Sequence, residues 1–196
     1  MIFLGRPDPF SIRSFLFDQA SKPFSYPEVG ATNGELPAGY WVNHTRKYLG
    51  QGQPTFDFAC EALQSWQQLQ LGWVDCWPHD TPLKAGEHVA VIGRAFGLWW
   101  LNACRVAYTI HDREPKARFG YAHGTLPAHL AIGEERFLVE MTPDKDVWID
   151  ILAFSRPNTL LARIGYPLMR HAQRRFGNES ADRILSAVRH LNNMRT

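Results

Sequence analysis

Between Trp73 and Phe154 hydrophobic and polar residues alternate in short runs, "WVDCW", "EHVAVIGRA", "ACRVAYTIHD", "ARFGYAHGTL", "EERFLVEMT" and "DVWIDILAF", parted by Pro, Gly and Asp. A period of two marks a strand with one buried face, and the separating residues are turn formers. No segment of helical period intervenes, so the pattern predicts an antiparallel meander. Successive side chains on a strand point to opposite faces. Parity therefore puts Val89, Val91, Val106, Tyr108, Ile110, Phe137, Val139, Met141, Val147, Ile149 and Ile151 on one apolar side. Arg105, His111, Arg136, Glu140 and Asp150 fall on the opposite, wetter side.

The flanks follow other periods. Phe56, Ala59, Cys60, Leu63, Trp66 and Leu69 recur at helical spacing, with Thr55 placed to cap the start and Gly72 to end the helix. Asn158 to Phe176 reads as a long helix with Leu160, Leu161, Ile164, Leu168 and Ala172 toward the core, Arg163, Arg170 and Arg174 outward, and a kink at Pro167. Gly177-Asn178 is expected to end it, and Ser180 to cap a last helix reaching Asn193. Residues 1–54, rich in Pro, Gly and aromatics, read as a wrap with "YPEVGAT" (26–32) as its strand-like run and "LPAGYW" (36–41) as a turn leading into an extended piece. The expectation is a single domain over 1–196: wrap and first strand at 1–54, helix at 55–72, antiparallel sheet at 73–154 and C-terminal helices at 155–196.

This α+β order resembles the helix-grip fold of the START and birch-pollen-allergen superfamily, in which a curved antiparallel β-sheet wraps around a long C-terminal helix. The resemblance implies an apolar cavity between helix and sheet. At finer grain the chain resembles an uncharacterised family, the domain-of-unknown-function family nineteen-ninety, from about Tyr26 to Gln173. The matching pieces are "YPEVGAT", "LPAGY", "LGQG" with Phe56 and Ala59, Trp66, the G-x-x-V of 86–89, "GYAHGTLPAHLAIGEERF" and "AFSRPNTLLARIGYPLMRHAQ". His123 stands where the family pattern carries an aromatic, so the resemblance implies no role for it, and it implies no reaction.

Composition adds detail. Seven Trp and an aromatic content of 13% favour a cavity or a sticky interface over a minimal core. The net charge is +2, yet from Arg156 onward there are eight Arg, no Lys and two acids, a balance of +6 that leaves −4 to residues 1–155. A solvated basic helical face is the simplest account; an interaction module that uses these helices on RNA or an acidic partner is the alternative. The arginines lack the interleaved aromatics of a nucleic-acid platform, so nucleic acid is not the expected partner. Cys60, Cys76 and Cys104 are an odd number without C-x-x-C spacing, which argues against a disulfide framework and a zinc knuckle. The N-terminus lacks the basic start and apolar run of a signal peptide, and no stretch is long enough to span a bilayer. The cytoplasm is the expected compartment.

The candidate chemistry gathers in "GYAHGTLPAHLAIGEERF" (120–137). His123, His129, Glu134 and Glu135 match no standard metal-ligand spacing, so no metal and no cofactor is expected. If Arg118 points outward, Phe119, Tyr121 and His123 enter the cavity on one strand and Glu135, Phe137 and Val139 on the return, with Glu134 facing water. His129 is expected at the loop after Pro127, bonded to Glu134 or Glu135. Tyr108 joins this face by parity. Tyr26 and Glu28, like His44 and Arg46, are placed to edge the mouth, and Arg156 to pair with an acid such as Glu28 or Glu135. No G-x-S-x-G elbow or phosphate loop is present, and Cys60 sits on the core side of its helix. These residues predict a binder of an apolar or amphipathic small molecule, with His123, Tyr108 or Tyr121 supplying polar contacts. A cyclase- or hydratase-like enzyme with His123 or a buried Glu as acid-base group is the alternative. Parity places Trp148 outward, which suggests a homodimer contact.

Overall fold

Every alternating run becomes a strand. The computed structural model describes residues 1–95, 97–114, 116–158 and 166–195, with side chains at 170–191 in the last stretch. Its strands are β1 (Ile2–Phe3), β2 (Trp41–Gln51), β3 (Val74–Trp77), β4 (His88–Ala95), β5 (Leu98–Asp112), β6 (Ala117–Thr125), β7 (Ala131–Met141) and β8 (Asp146–Pro157). They form one open, curved antiparallel sheet in the order β2-β8-β7-β6-β5-β4-β3, and β1 adds to β5 at Trp99 and Trp100.

The inner face carries the main core. Val139, Ile149, Phe137, Ile151 and Tyr121 lie under two helices, α2 (Gln53–Gln64) and α3 (Tyr166–Arg195), whose Ala59, Leu63, Ala181, Ile184 and Val188 complete the cluster. Apolar burial of this extent, at about 25 cal/mol per Å², is the chief force holding helices to sheet. A second core lies on the outer face, where Ile12 and Phe15 of α1 (Pro9–Ala20) cover Ala90, Ile92, Leu101 and Ala103. This helix lies inside the segment read as a wrap. Its start was nevertheless written in the chain: Asp8 accepts from the backbone N–H groups of Phe10 and Ser11, ahead of Pro9.

Four local readings need correction. "YPEVGAT" is not a strand; it is a looped segment ending in a 3-10 turn, Ala31–Asn33, and the first long strand is β2. The helix expected over 55–72 ends at Gln64. Trp66 adopts a left-handed φ of 56°, and its fully buried indole donates to the Thr81 carbonyl at 2.7 Å, so it reaches the core from a turn and not from the helix. Thr55 does not cap; its hydroxyl donates to the Gln51 carbonyl at 2.9 Å. In β5 the pairing with β6 shifts between Val106 and Tyr108, with Val106 opposite His123 but Tyr108 opposite Ala122. That bulge inserts one residue and reverses parity. Tyr108 and Ile110 therefore face outward, while Thr109 and His111 join the inner rows of Tyr121 and Phe119.

The fourth correction concerns the C-terminus. The helix expected to start at Asn158 does not start there: β8 continues to Pro157, and the Asn158 side chain donates to the Pro127 and His129 carbonyls at 3.1 and 2.7 Å. Leu160, Leu161, Arg163 and Ile164 lie outside the described residues, as do the side chains of Pro167 and Leu168. Within them, one helix runs from Tyr166 to Arg195 without stopping at Gly177-Asn178. Gly177 is buried, and a β-carbon there would lie 2.8 Å from Thr45 Oγ1, so the glycine serves close approach of helix to sheet. Ser180 does not cap; its buried hydroxyl donates to the Gln68 carbonyl at 2.8 Å. Replacing Gly177 with Val is expected to destabilise the fold by about 2 kcal/mol through overpacking. In Gly177→Ala the helix-propensity gain of about 1 kcal/mol offsets the crowding and leaves urea midpoints near wild type.

Candidate functional site

Where α3 leaves the inner face of the sheet uncovered, a cavity of about 870 Å³ lies between them. Its wall comes from the inner face of β4 to β8 and from Ala172, Gln173 and Phe176 of α3, with Leu69 and Trp73 closing one side. Most of the lining is apolar, and several of its polar groups are held by protein partners. Gln173 donates to Ser155 Oγ at 2.9 Å and accepts from Asn43, Asn102 accepts from the Leu130 N–H, and the Thr125 hydroxyl bonds to the Gly133 backbone.

His123 and Glu135 stand apart from these. They face one another across β6 and β7, and His123 Nε2 lies 3.5 Å from Glu135 Oε2. His123 is 6% exposed, and its Nδ1 has no hydrogen-bond partner among the described residues. A buried N–H without a partner is costlier than a bare lone pair, and the carboxylate lies beside Nε2, so the proton of the neutral ring belongs on Nε2. The pair rests on an aromatic floor. Tyr121 and Phe137 stack at 5.5 Å beneath the imidazole, and the buried Tyr121 hydroxyl accepts from Gln68 Nε2 at 2.5 Å.

The structure separates the other residues picked from the sequence. Phe119 is on the inner face but lies farther along β6, edge-on to His111. Tyr26, Glu28, Tyr108 and Arg156 gather on the outer face around Glu134. Tyr26 donates to Glu134 Oε2 at 2.7 Å, Tyr40 donates to Glu28 at 2.8 Å, and the Arg156 guanidinium lies 4.7 Å over the Tyr40 ring. The Tyr108 hydroxyl lies 2.6 Å from Thr32 Oγ1. His44 and Arg46 reach Asp150 on the same face, at 2.8 and 3.4 Å.

Glu134, expected to face water, is 2% exposed. Besides Tyr26 it accepts from the Gly30 N–H at 2.7 Å, the Thr32 N–H at 3.0 Å and the Thr32 hydroxyl at 2.5 Å. Four donors converging on one carboxylate draw "YPEVGAT" into its loop. Gly124 makes room for it, because a side chain there would overlap the Tyr26 hydroxyl.

His129 bonds to neither glutamate. Its Nδ1 accepts from the Ala131 N–H at 2.9 Å, and burial, reinforced by nearby His123 and opposed by the Ala131 carbonyl, pushes its pKa down to about 3. Burial pushes the Cys60 and Cys76 thiols up to about 12, and Cys104, which lines the cavity, higher still with Glu135 adding to the effect. All three are therefore poor nucleophiles. Asp75, Cys76 and His79 bring potential metal ligands within 4.8 Å of one another, but Arg6 already holds Asp75 at 2.5 Å. On α3, Arg170 lies 4.3 Å over Trp41, while Arg175 lies over Trp73 and pairs with Glu179, so part of the basic helix is engaged in packing.

Comparison with known proteins fits this geometry. Residues 25–183 match the family described as a domain of unknown function, DUF1990. A UPF0548 protein of Dictyostelium discoideum is 31% identical over 100% of this chain and 99% of its own. Another, from Deinococcus radiodurans, is 34% identical over 96% and 99%. Among solved structures, hypothetical protein jhp0584 from Helicobacter pylori superposes with a TM-score of 0.54 at 12% identity, covering 84% of this chain and 95% of that one. The Zhui aromatase/cyclase from Streptomyces sp. R1128 gives 0.50 at 8%, covering 76% and 94%. At such identities the likeness is one of fold, and the fold is the helix-grip. No helix among the described residues is long and apolar enough to cross a membrane. With four-fifths of its length matched and two relatives aligned nearly end to end, the chain belongs to the uncharacterised DUF1990 family of UPF0548 proteins.

Proposed function

We propose that this protein binds an apolar or amphipathic small molecule in the cavity between α3 and the sheet. The supporting observation is a space of about 870 Å³, within the range of small-molecule sites, with a largely apolar wall and one polar pair, the buried His123 and the partly exposed Glu135, on its floor. Such a wall supplies affinity through apolar burial, while the polar pair orients the ligand. The test is mass spectrometry of small molecules carried through native purification, followed by titration of whatever is found. Replacing Glu135, the more exposed member of the pair, with Ala is expected to weaken that ligand about tenfold, the worth of one buried hydrogen bond. Protein that carries no organic molecule, and shows no thermal shift with a panel of apolar compounds, would exclude the proposal.

A catalytic use of the same cavity is the second reading. It is favoured by the juxtaposition of an imidazole and a carboxylate in a largely apolar space, an arrangement suited to proton transfer. In that case His123→Phe abolishes turnover of a bound compound and not merely its affinity; unchanged turnover would exclude an acid-base role.

A further inference from the structure

We infer that the cavity selects ligands whose head group is a cationic hydrogen-bond donor, an ammonium carried on an apolar body, and that Glu135 is the group that selects it. The inference rests on the cavity being a ligand site. Five charged or titratable side chains besides Glu135 line the cavity, together with the Met1 ammonium, and each is otherwise occupied or turned away: the ammonium donates to the Leu101 carbonyl at 2.9 Å, and burial keeps the Cys104 thiol protonated. Glu134 spends its carboxylate on four donors of the 26–32 loop. His129 is tied to the Ala131 backbone, and Arg94 is exposed, with its guanidinium over the Trp99 ring. His123 offers Glu135 an N–H at 3.5 Å, a long contact that leaves most of the carboxylate's accepting capacity unused.

Glu135 therefore has no lysine or arginine partner among the described residues, and His123 is its one ion-pair contact among them. Its side chain is 22% exposed within the lining of a largely apolar cavity. A carboxylate so placed lacks most of its hydration and accepts up to four hydrogen bonds, so it favours a donor, and a charged donor above a neutral one. The same charge disfavours a ligand carboxylate brought to the floor. His123 does not reverse this preference, because its Nε2–H already faces Glu135 and its Nδ1 atom is enclosed.

The test uses the full chain at pH 7.5 and three probes with one ring system: 2-naphthylmethylamine, 2-naphthylmethanol and 2-naphthoate, titrated by calorimetry. The amine is expected to bind at least tenfold more tightly than the alcohol, and the carboxylate more weakly than either. In Glu135→Gln the amine and the alcohol should converge to within about threefold, whereas Glu135→Asp should retain the order. Equal or tighter binding of the carboxylate would overturn the head-group assignment while leaving a ligand cavity in place. So would an amine preference that survives Glu135→Gln. If none of the three binds, the cavity reading itself fails, and the assignment with it.

Discussion

Glu134→Ala is expected to destabilise the fold by about 4 kcal/mol, read as a drop in the urea midpoint without loss of slope. The substitution removes more than one contact. It leaves the Tyr26 hydroxyl, the Gly30 and Thr32 N–H groups and the Thr32 hydroxyl without their shared acceptor, in a place where water does not replace it. Hydrogen bonds to a charged group contribute about 1.5–3 kcal/mol each, and a buried donor left bare costs about 1–3 kcal/mol. Part of the loss is recovered as the loop loosens. The neighbouring groups then lose their positions too, because Tyr108 and Arg136 both bond to Thr32. Glu134→Gln should cost less, since its amide oxygen still accepts. A midpoint unchanged in Glu134→Ala would mean that the 26–32 loop contributes nothing to stability.

Stability is also expected to fall as the pH drops from about 6.5 toward 3, by roughly 5 kcal/mol, with His129 as the main cause. In the unfolded chain a histidine takes up a proton near pH 6.5; in the folded protein His129 stays neutral until about 3. Within that window the unfolded state binds the extra proton, so acid favours unfolding, and the loss ends below the folded value. His88 acts in the same direction, since burial and then the Arg105 guanidinium, which donates to its Nε2 at 2.8 Å, lower its pKa. Asp150 enters only at lower pH. Burial works against its ionisation, but bonds from His44 and Arg136 outweigh burial and hold it below the ordinary carboxylate range. Its contribution is present above that range and lost as the pH falls through its folded value. Denaturant titrations at a series of pH values check this, and His129→Asn, which keeps an acceptor for the Ala131 N–H, should flatten the slope between pH 6.5 and 5. An identical slope in that variant would assign the effect elsewhere.

The strands were legible because burial of one face imposes alternation, and that pattern survives in the chain from Val74 to Phe154. Inward placement of His123 and Glu135 followed from it directly. Tyr108 shows where the rule stops: nothing in "RVAYT" marks the extra residue that turns it outward, since the bulge is set by pairing with β6. The 26–32 loop was misread for a related reason, as its shape answers to Glu134, more than a hundred residues away in sequence. At Gly177 a stop signal and a contact signal are the same residue, and only the position of Thr45 distinguishes them. The helix α1 was obscured because Phe10 and Phe17, 81% and 82% exposed, blur the division between its wet and dry sides.

The bulge in β5 has a consequence for how this protein could be altered. Ahead of it, Asn102 and Cys104 line the cavity; beyond it, Tyr108 serves the loop on the other side of the sheet. The extra residue allows the two halves of one strand to be indexed separately. Deleting Ala107 would restore strict alternation while leaving Val106 opposite His123 and Tyr108 opposite Ala122, so the bulge would be lost without turning either half of the strand over. Substitutions before the bulge can reshape the cavity wall while the distal half keeps its register.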